Sequence, residues 1–367
     1  MSRDFLMLAK PFNPEKDRLA GKYISEKLDG SRVFWDGGLS RNALIDSVPW
    51  ANLTDPKTGN RKPNLPERAT GLWSRYGNPV FAPDWWLNQL PACPLDGELW
   101  AGRGNFQTLR SIVARNNPDE RWRDVQFAVF SSPPLSQIFG SGLVKNTNFV
   151  RNFDADAIKS FCMGRMDAGF GEDFKSLIGP TPFDQELTFL SSLIPSEGSS
   201  VLYLHRQVQL PKDEGMAALA VQRIIGDVLD EGGEGVMIRD PQAVWTPKRV
   251  GTLLKWKPFN DDAGTLVGFT TGRKTEKGSK LLGLIGALIL DYKGQPLELS
   301  GMTDLERKFA TQEMEQWAVE HPGVEAPAGF QGRSFKLGDV VEFRYRELSD
   351  KGVPKEARLL RKCEGSE

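Results

Sequence analysis

Lys27 stands in the run Glu26-Lys27-Leu28-Asp29-Gly30-Ser31-Arg32, which brings a lysine, an acid, a glycine and an arginine together at one tight turn. An amine that is to attack phosphorus must be held in place, must lose its proton near neutral pH, and must meet a phosphate whose charge is already balanced. A lysine beside an acid and an arginine supplies those conditions. So short a pattern also fits a surface turn with a salt bridge, and the rest of the chain has to decide.

Four further segments carry charge at useful spacings. Trp73-Ser74-Arg75-Tyr76-Gly77-Asn78 offers an arginine at a turn. Leu95-Asp96-Gly97-Glu98-Leu99 sets two acids two apart in an apolar strand, so both point to one face. Gly233-Glu234-Gly235-Val236-Met237 places an acid between glycines just before an apolar strand, and Leu254-Lys255-Trp256-Lys257-Pro258 puts two lysines on one face. Singly, these are hairpin turns or a charged strand edge. Together they hold the parts needed to transfer a nucleoside monophosphate: a nucleophilic lysine, two carboxylates for a hard divalent cation, and cations for the phosphates. Mg²⁺ takes few carboxylates plus substrate phosphate oxygens, which suits two scattered acids.

In their order, Lys27-x-Asp29-Gly30-x-Arg32, Ser74-Arg75-x-Gly77, Asp96-Gly97-Glu98, Phe127–Phe130, Glu234-Gly235 and Lys255-x-Lys257 resemble the motifs of the ATP-dependent DNA ligases. Those enzymes are lysine nucleotidyltransferases, as are RNA ligases and messenger-RNA capping enzymes. The resemblance runs from Leu6-Met7-Leu8-Ala9-Lys10 to the C-terminal segment, and the length suits a compact bacterial or phage ligase. It implies that Lys27 attacks the α-phosphate of ATP and carries AMP, which then passes to the 5′-phosphate of a nick before the 3′-hydroxyl displaces it. A free lysine titrates near ~10.4, so Lys255, Lys257 or a bound metal would have to ease its deprotonation. The resemblance gives Asp29 the orienting of the lysine or of the 3′-hydroxyl. Glu98 and Glu234 would serve metal and ribose. Glu26 would lie in the cofactor site, with Arg32 and Arg75 on ribose or phosphate oxygens and Phe130 stacked on adenine. Mg²⁺ is the implied metal, with Mn²⁺ in its place as an alternative. Ser40-Arg41-Asn42 also resembles the motif assigned to Arg75. Gly77-Asn78-Pro79 and Ala82-Pro83 favour Arg75, and Pro49–Pro66 then becomes an insertion. The basic run Arg358-Leu359-Leu360-Arg361-Lys362 is a loose match to the last motif and would meet pyrophosphate or DNA backbone.

The implied partner is nicked duplex DNA. With a net charge of −1, the chain has no uniformly basic coat, so contact with a polyanion must come from local clusters. Arg273, Lys274, Lys277 and Lys280 form one such loop, suited to backbone contact that weakens with salt. An RNA ligase or capping guanylyltransferase is the nearest rival reading. A non-catalytic nucleic-acid binder is the rival from another class.

These groups must be positioned by a chain of 367 residues, 39% hydrophobic, long enough for two domains. Cys93, Cys162 and Cys363 have neither metal-ligand nor disulfide spacing, which predicts a reducing, cytoplasmic setting. The two histidines, His205 and His321, are assigned structural roles. No leader or membrane span is expected, and the predicted state is a monomer. Strands are predicted at Tyr23–Glu26, Arg32–Trp35, Leu95–Trp100, Val125–Phe130, Val201–Leu210, 234–239 and Leu253–Pro258. Helices are predicted at Pro83–Leu90, Phe106–Arg115 and Met216–Leu229, with helical fragments at Asp154–Met163 and Phe183–Leu193 inside an insertion from about 131 to 200. After a boundary near Pro258 the pattern becomes strand-rich (Thr265–Phe269, Leu284–Tyr292, Val340–Tyr345, Ala357–Arg361). One helix, Asp304–Glu320, interrupts it, and Thr303 and Glu306 precede that helix at capping-box spacing. The expected fold is α+β: an adenylation domain of antiparallel sheets with flanking helices over 1–258, then an OB-fold barrel over 259–367.

Overall fold

The computed structural model describes residues 6–55, 58–133, 155–165, 181–195, 197–271, 284–303, 337–349 and 351–363, together with 135, 138, 306 and 307. Two compact units divide between Trp256 and Lys257.

The first unit holds two five-stranded sheets. One has the order β1 (Leu8–Pro11), β10 (Arg249–Trp256), β9 (Val236–Arg239), β2 (Tyr23–Glu26), β8 (Val208–Gln209). The other runs β4 (Leu72–Ser74), β3 (Ser31–Asp36), β5 (Pro94–Trp100), β6 (Gln126–Ser131), β7 (Leu202–Leu204). Most pairings are antiparallel; β1 with β10 and β6 with β7 are parallel. The helices are α1 (Asp84–Leu87), α2 (Phe106–Val113), α3 (Ala155–Arg165), α4 (Phe183–Leu193) and α5 (Glu214–Asp230).

Alternation along the strands decides what faces the site. In the second sheet Val33, Trp35, Leu95, Leu99, Phe127 and Val129 pack with Leu109 and Ile112 of α2 and Leu190 of α4. Because successive side chains point to opposite faces, Arg32, Asp96, Glu98, Ala128 and Phe130 are turned the other way. In the first sheet Ile24, Val236, Ile238 and Leu254 pack on Ala217, Val221, Ile225 and Val228 of α5. Ser25, Met237, Arg239, Leu253 and Lys255 therefore take the opposite face. A third core cluster joins Met7, Ala9 and Leu253 to Phe34, Trp50, Trp73 and Trp245.

Several expected elements move. The expected strand Val201–Leu210 is two short strands in different sheets, because the chain leaves β6 after Leu204 and joins β2 at Val208. The strand expected to run to Pro258 ends at Trp256, so Lys257 is not on it and opens the second unit. Pro258 has no N–H to give to a ladder, so pairing stops ahead of it. Helix α5 begins two residues early because Asp213 caps it, accepting from Met216 N at 2.8 Å.

The second unit has a five-stranded antiparallel sheet in the order β13 (Gln295–Leu299), β12 (Ile285–Tyr292), β11 (Asn260–Thr271), β14 (Val340–Tyr345), β17 (Arg358–Lys362), and a separate antiparallel pair, β15 (Glu347–Leu348) with β16 (Pro354–Lys355). Strand β13 was not predicted. It follows the two-residue turn Lys293-Gly294, where both residues have positive φ, 52° and 79°, as tight hairpins require. Thr303 N donates to Glu306 Oε2 at 2.6 Å and Glu306 N to Thr303 Oγ1 at 3.2 Å, which is the expected capping box. Nearly all of the helix expected to follow lies outside the described residues. Mixed α/β structure with antiparallel sheets and few helices matches the expected class, but no closed barrel is present among the described residues. No described helix is long and apolar enough to cross a membrane.

Candidate active site

Lys27-Leu28-Asp29-Gly30 is the link by which the chain passes from β2 in one sheet to β3 in the other. Gly30 is needed because a Cβ there would lie 2.3 Å from Leu99 O and 2.6 Å from Glu98 Cγ. Lys27 N donates to Gly235 O at 2.8 Å, tying this link to the start of β9. Gly235 itself has φ +146°, a backbone other residues rarely take.

The faces named above line a cavity of about 630 Å³, within the usual range for a small-molecule site. Lys27, Asp29, Arg32, Arg75, Glu98, Phe130 and Lys255 all line it, as does Glu26. Lysine and arginine outnumber carboxylates in the lining, since Arg110, Arg239 and Arg249 join them. The Lys27 ammonium donates to Glu234 Oε2, which brings the Glu234-Gly235 motif onto the lysine. The Arg32 guanidinium lies 4.5 Å from the Phe130 ring centroid, so cation and aromatic form one wall.

Glu98 is partly buried. Burial pushes its carboxyl up to about 7, against the pull of Arg32, Lys27 and Arg75 and with a push from Asp96. Its buried neighbour Asp96 is occupied, accepting from Arg32 and from Trp245 Nε1. Glu26 lines the cavity, but its carboxylate is gripped by Arg103 Nε and Nη2 at 3.0 and 2.9 Å. Arg103 also pairs with Glu231 at 2.8 Å.

Of the two arginines weighed for the second motif, Arg75 lines the cavity and stacks on Tyr76, 4.7 Å from its ring centroid. Arg41 pairs with Asp84 at 2.6 Å and does not line it. Lys257 belongs to the second unit. Arg273, Lys274, Lys277 and Lys280 lie outside the described residues.

The sequence reading missed several lining groups. Met237 and Arg239 alternate with the buried Val236 and Ile238, a period-two signal that could have flagged them. Arg239 is buried against the Phe183 ring at 3.8 Å and pairs with buried Glu186 at 3.1 Å. Burial pushes Glu186 upward, with Arg239 drawing it back. His205, assigned a purely structural role, also lines the cavity. Its Nε2 bonds Glu26 O at 2.8 Å, and burial holds its pKa low. A carbonyl can only accept, so the ring carries its proton on Nε2.

No family model matches the chain. A DNA ligase of Haemophilus influenzae is 20% identical over 357 residues, covering 97% of this chain and 91% of that protein. A structure from work on Lig E DNA ligases superposes with a TM-score of 0.60 at 22% identity, across 98% of each chain. The chain has a DNA ligase fold. A second structure, Pmar-Lig_Pre, superposes with a TM-score of 0.61 at 18% identity over 99% of this chain and 69% of that one. The resemblance to DNA ligases carried by the motifs therefore extends over nearly the whole chain, and the ligase-fold cavity described here is where those motifs meet.

Proposed function

We propose that this protein is an ATP-dependent DNA ligase that seals nicks in duplex DNA, acting as a monomer. The observation that carries this reading is the convergence of Lys27, Glu234, Arg32, Phe130, Glu98, Arg75 and Lys255 on one cavity or on its lysine, from six separate stretches of chain.

In the proposed reaction Lys27 Nζ, having given up a proton, attacks the α-phosphorus of ATP. The N–P bond forms as the bond to the β-phosphate oxygen breaks, and pyrophosphate leaves. An oxygen of the 5′-phosphate at the nick then attacks the same phosphorus and releases the lysine. Finally the 3′-oxygen attacks the 5′-phosphorus, expelling AMP and closing the strand. The excess of cations in the lining favours a triphosphate. Phe130, exposed to the cavity beneath Arg32, offers a face for adenine worth about 1–3 kcal/mol. Lys27 is held by Glu234 on one side and by the backbone of Gly235 on the other, so it need not be ordered when ATP arrives. Asp29 is exposed in the same lining, where it can orient the lysine or the 3′-hydroxyl.

A divalent cation fits this donor set. Among the described residues no three His, Cys, Asp or Glu side chains cluster, and Mg²⁺ commonly takes one or two carboxylates plus phosphate oxygens. Glu98, a carboxyl that burial drives toward neutrality despite three nearby cations, would hold Mg²⁺ or Mn²⁺ together with Glu234. Bound there, the ion would neutralise charge on the phosphates during transfer.

Residues 1–258 are assigned to adenylation and 259–367 to an OB-type domain. In support of the second, an isolated parallel bridge from Ser300, just past β13, to Arg358 of β17 draws the two edge strands of that sheet together. The basic run in β17 would then meet pyrophosphate or DNA backbone.

The test is incubation with labelled ATP or GTP and Mg²⁺, followed by nicked DNA or nicked RNA. Label from ATP and a sealed strand are expected. Label from GTP would indicate a capping-type enzyme, sealing only of nicked RNA an RNA ligase, and no label with either nucleotide a non-catalytic binder.

A further inference from the structure

Beside the cavity that holds Lys27 lies a second one of about 290 Å³, and the two share Ser31, Arg32 and Ser74 in their linings. Lys62 and Arg115 add positive charge to it, and no carboxylate lines it. Lys62 comes from the Pro49–Pro66 insertion, which folds back on itself. Thr54 bridges Arg61, and Lys62 N donates to Leu53 O at 2.8 Å. This small hairpin is tied to the Arg75 turn, since Asn52 N donates to Gly77 O at 2.7 Å. Lys62 Nζ adds bonds to Asn78 Oδ1 at 2.9 Å and Asn52 O at 3.2 Å. On its other side Asn116 Nδ2 donates to Asn64 O at 2.8 Å, fastening the end of α2 to the hairpin and bringing exposed Arg115 alongside.

The remaining lining is largely apolar, including Leu65, Phe81 and Leu99. Apolar walls with three cations, Arg32, Lys62 and Arg115, and no acid complement a deoxyribose-phosphate unit: sugar carbons against the walls, phosphate oxygens toward Lys62 and Arg115. The volume falls just below the usual range for whole small-molecule ligands, so it suits a single backbone unit. Because Lys62 is already held by Asn52 and Asn78, little side-chain freedom is lost when it meets a phosphate.

We propose that this cavity is a subsite for one backbone sugar-phosphate of the nicked DNA, next to the phosphate undergoing transfer. It rests on the ligase reading and gives the insertion a purpose. Its chemistry is that of strand backbone, so it positions the nick without reading sequence.

The test compares the parent with Arg115→Ala and Lys62→Met, measuring nick affinity across a salt series and uptake of label from ATP. Arg115→Ala is the cleaner variant, because the salt bridge it loses is to Asp119, at 3.3 Å, and not to the Arg75 turn. Each variant should flatten the slope of log affinity against log salt by about 1 and weaken binding at low salt by about fivefold or more, with label uptake unchanged in Arg115→Ala. Nicks carrying one neutral methylphosphonate should then weaken binding by the parent at one position near the nick, where Arg115→Ala suffers no further loss. Salt slopes equal to the parent's in both variants, or added losses at every methylphosphonate position, would overturn the proposal. A parent that takes no label would count against the ligase reading instead, and the affinities would still judge the subsite.

Discussion

Arg32 donates from Nε and from Nη2 to the two carboxylate oxygens of Asp96, at 2.6 and 2.7 Å. Asp96 is fully buried and also accepts from Trp245 Nε1 at 2.9 Å. The pair is a two-pronged clamp whose outer face is the Phe130 ring. Asp96 thus serves the site by fixing Arg32.

Removing one partner of a buried pair leaves the other charge uncompensated. Asp96→Ala should therefore destabilise the first unit by about 3 kcal/mol and lower label uptake from ATP even where the protein stays folded. Urea unfolding checks the first part. A loss below about 1 kcal/mol would mean the clamp is no stronger than a surface ion pair.

Gly30 has no room for a methyl group. A Cβ would overlap Leu99 O and Glu98 Cγ, and the first of these is backbone that cannot swing away. Gly30→Ala should cost about 1–3 kcal/mol, as read from thermal unfolding. It should also slow self-labelling, because the shift displaces both Glu98 and the link carrying Lys27. Label uptake at the parent rate would contradict this.

Asp36 is buried beneath Ser40 and Trp73, and burial pushes its carboxyl from 3.8 up to about 6 against the hydrogen bonds they donate. The native state thus keeps a proton that the unfolded chain releases. Stability from this group falls as pH rises from about 4 to about 6, by on the order of 3 kcal/mol, and is level above that. Asp36→Asn keeps the acceptor and loses the titration. The variant should show a weaker decline of unfolding free energy over that window, and equal slopes in variant and parent would contradict the assignment.

In the second unit Thr303→Ala removes one half of the reciprocal cap with Glu306. The expected loss is about 1 kcal/mol, seen as a lower urea midpoint. An unchanged midpoint would show that the cap contributes nothing to the cooperative unit.

Much of this was legible in the sequence where period and residue type agree. The alternation of Asp96 and Glu98 with Leu95 and Leu99 predicts which groups face the cavity, and the structure places them so. Thr303 and Glu306 likewise make the bonds their spacing implies. What was hidden depends on where the chain changes sheets. Val201–Leu210 has strand character throughout, but its ends pair with different sheets and leave His205 between them at the cavity. Lys257 matches Lys255 by spacing alone, yet the strand stops between them. The engagement of Glu26 by Arg103 joins residues far apart in the chain, and no local pattern encodes it. The hairpin turn at Lys293-Gly294 is local, and its glycine between two strand-like runs is a signal the sequence carries.

The most direct measurement is the location of the adenylate. Protein incubated with ATP and Mg²⁺ should be digested and its peptides mapped by mass. The expected result is AMP on the peptide containing Lys27, and none anywhere in a folded Lys27→Ala variant. Adenylate on another residue, or labelling that survives in Lys27→Ala, would contradict the account.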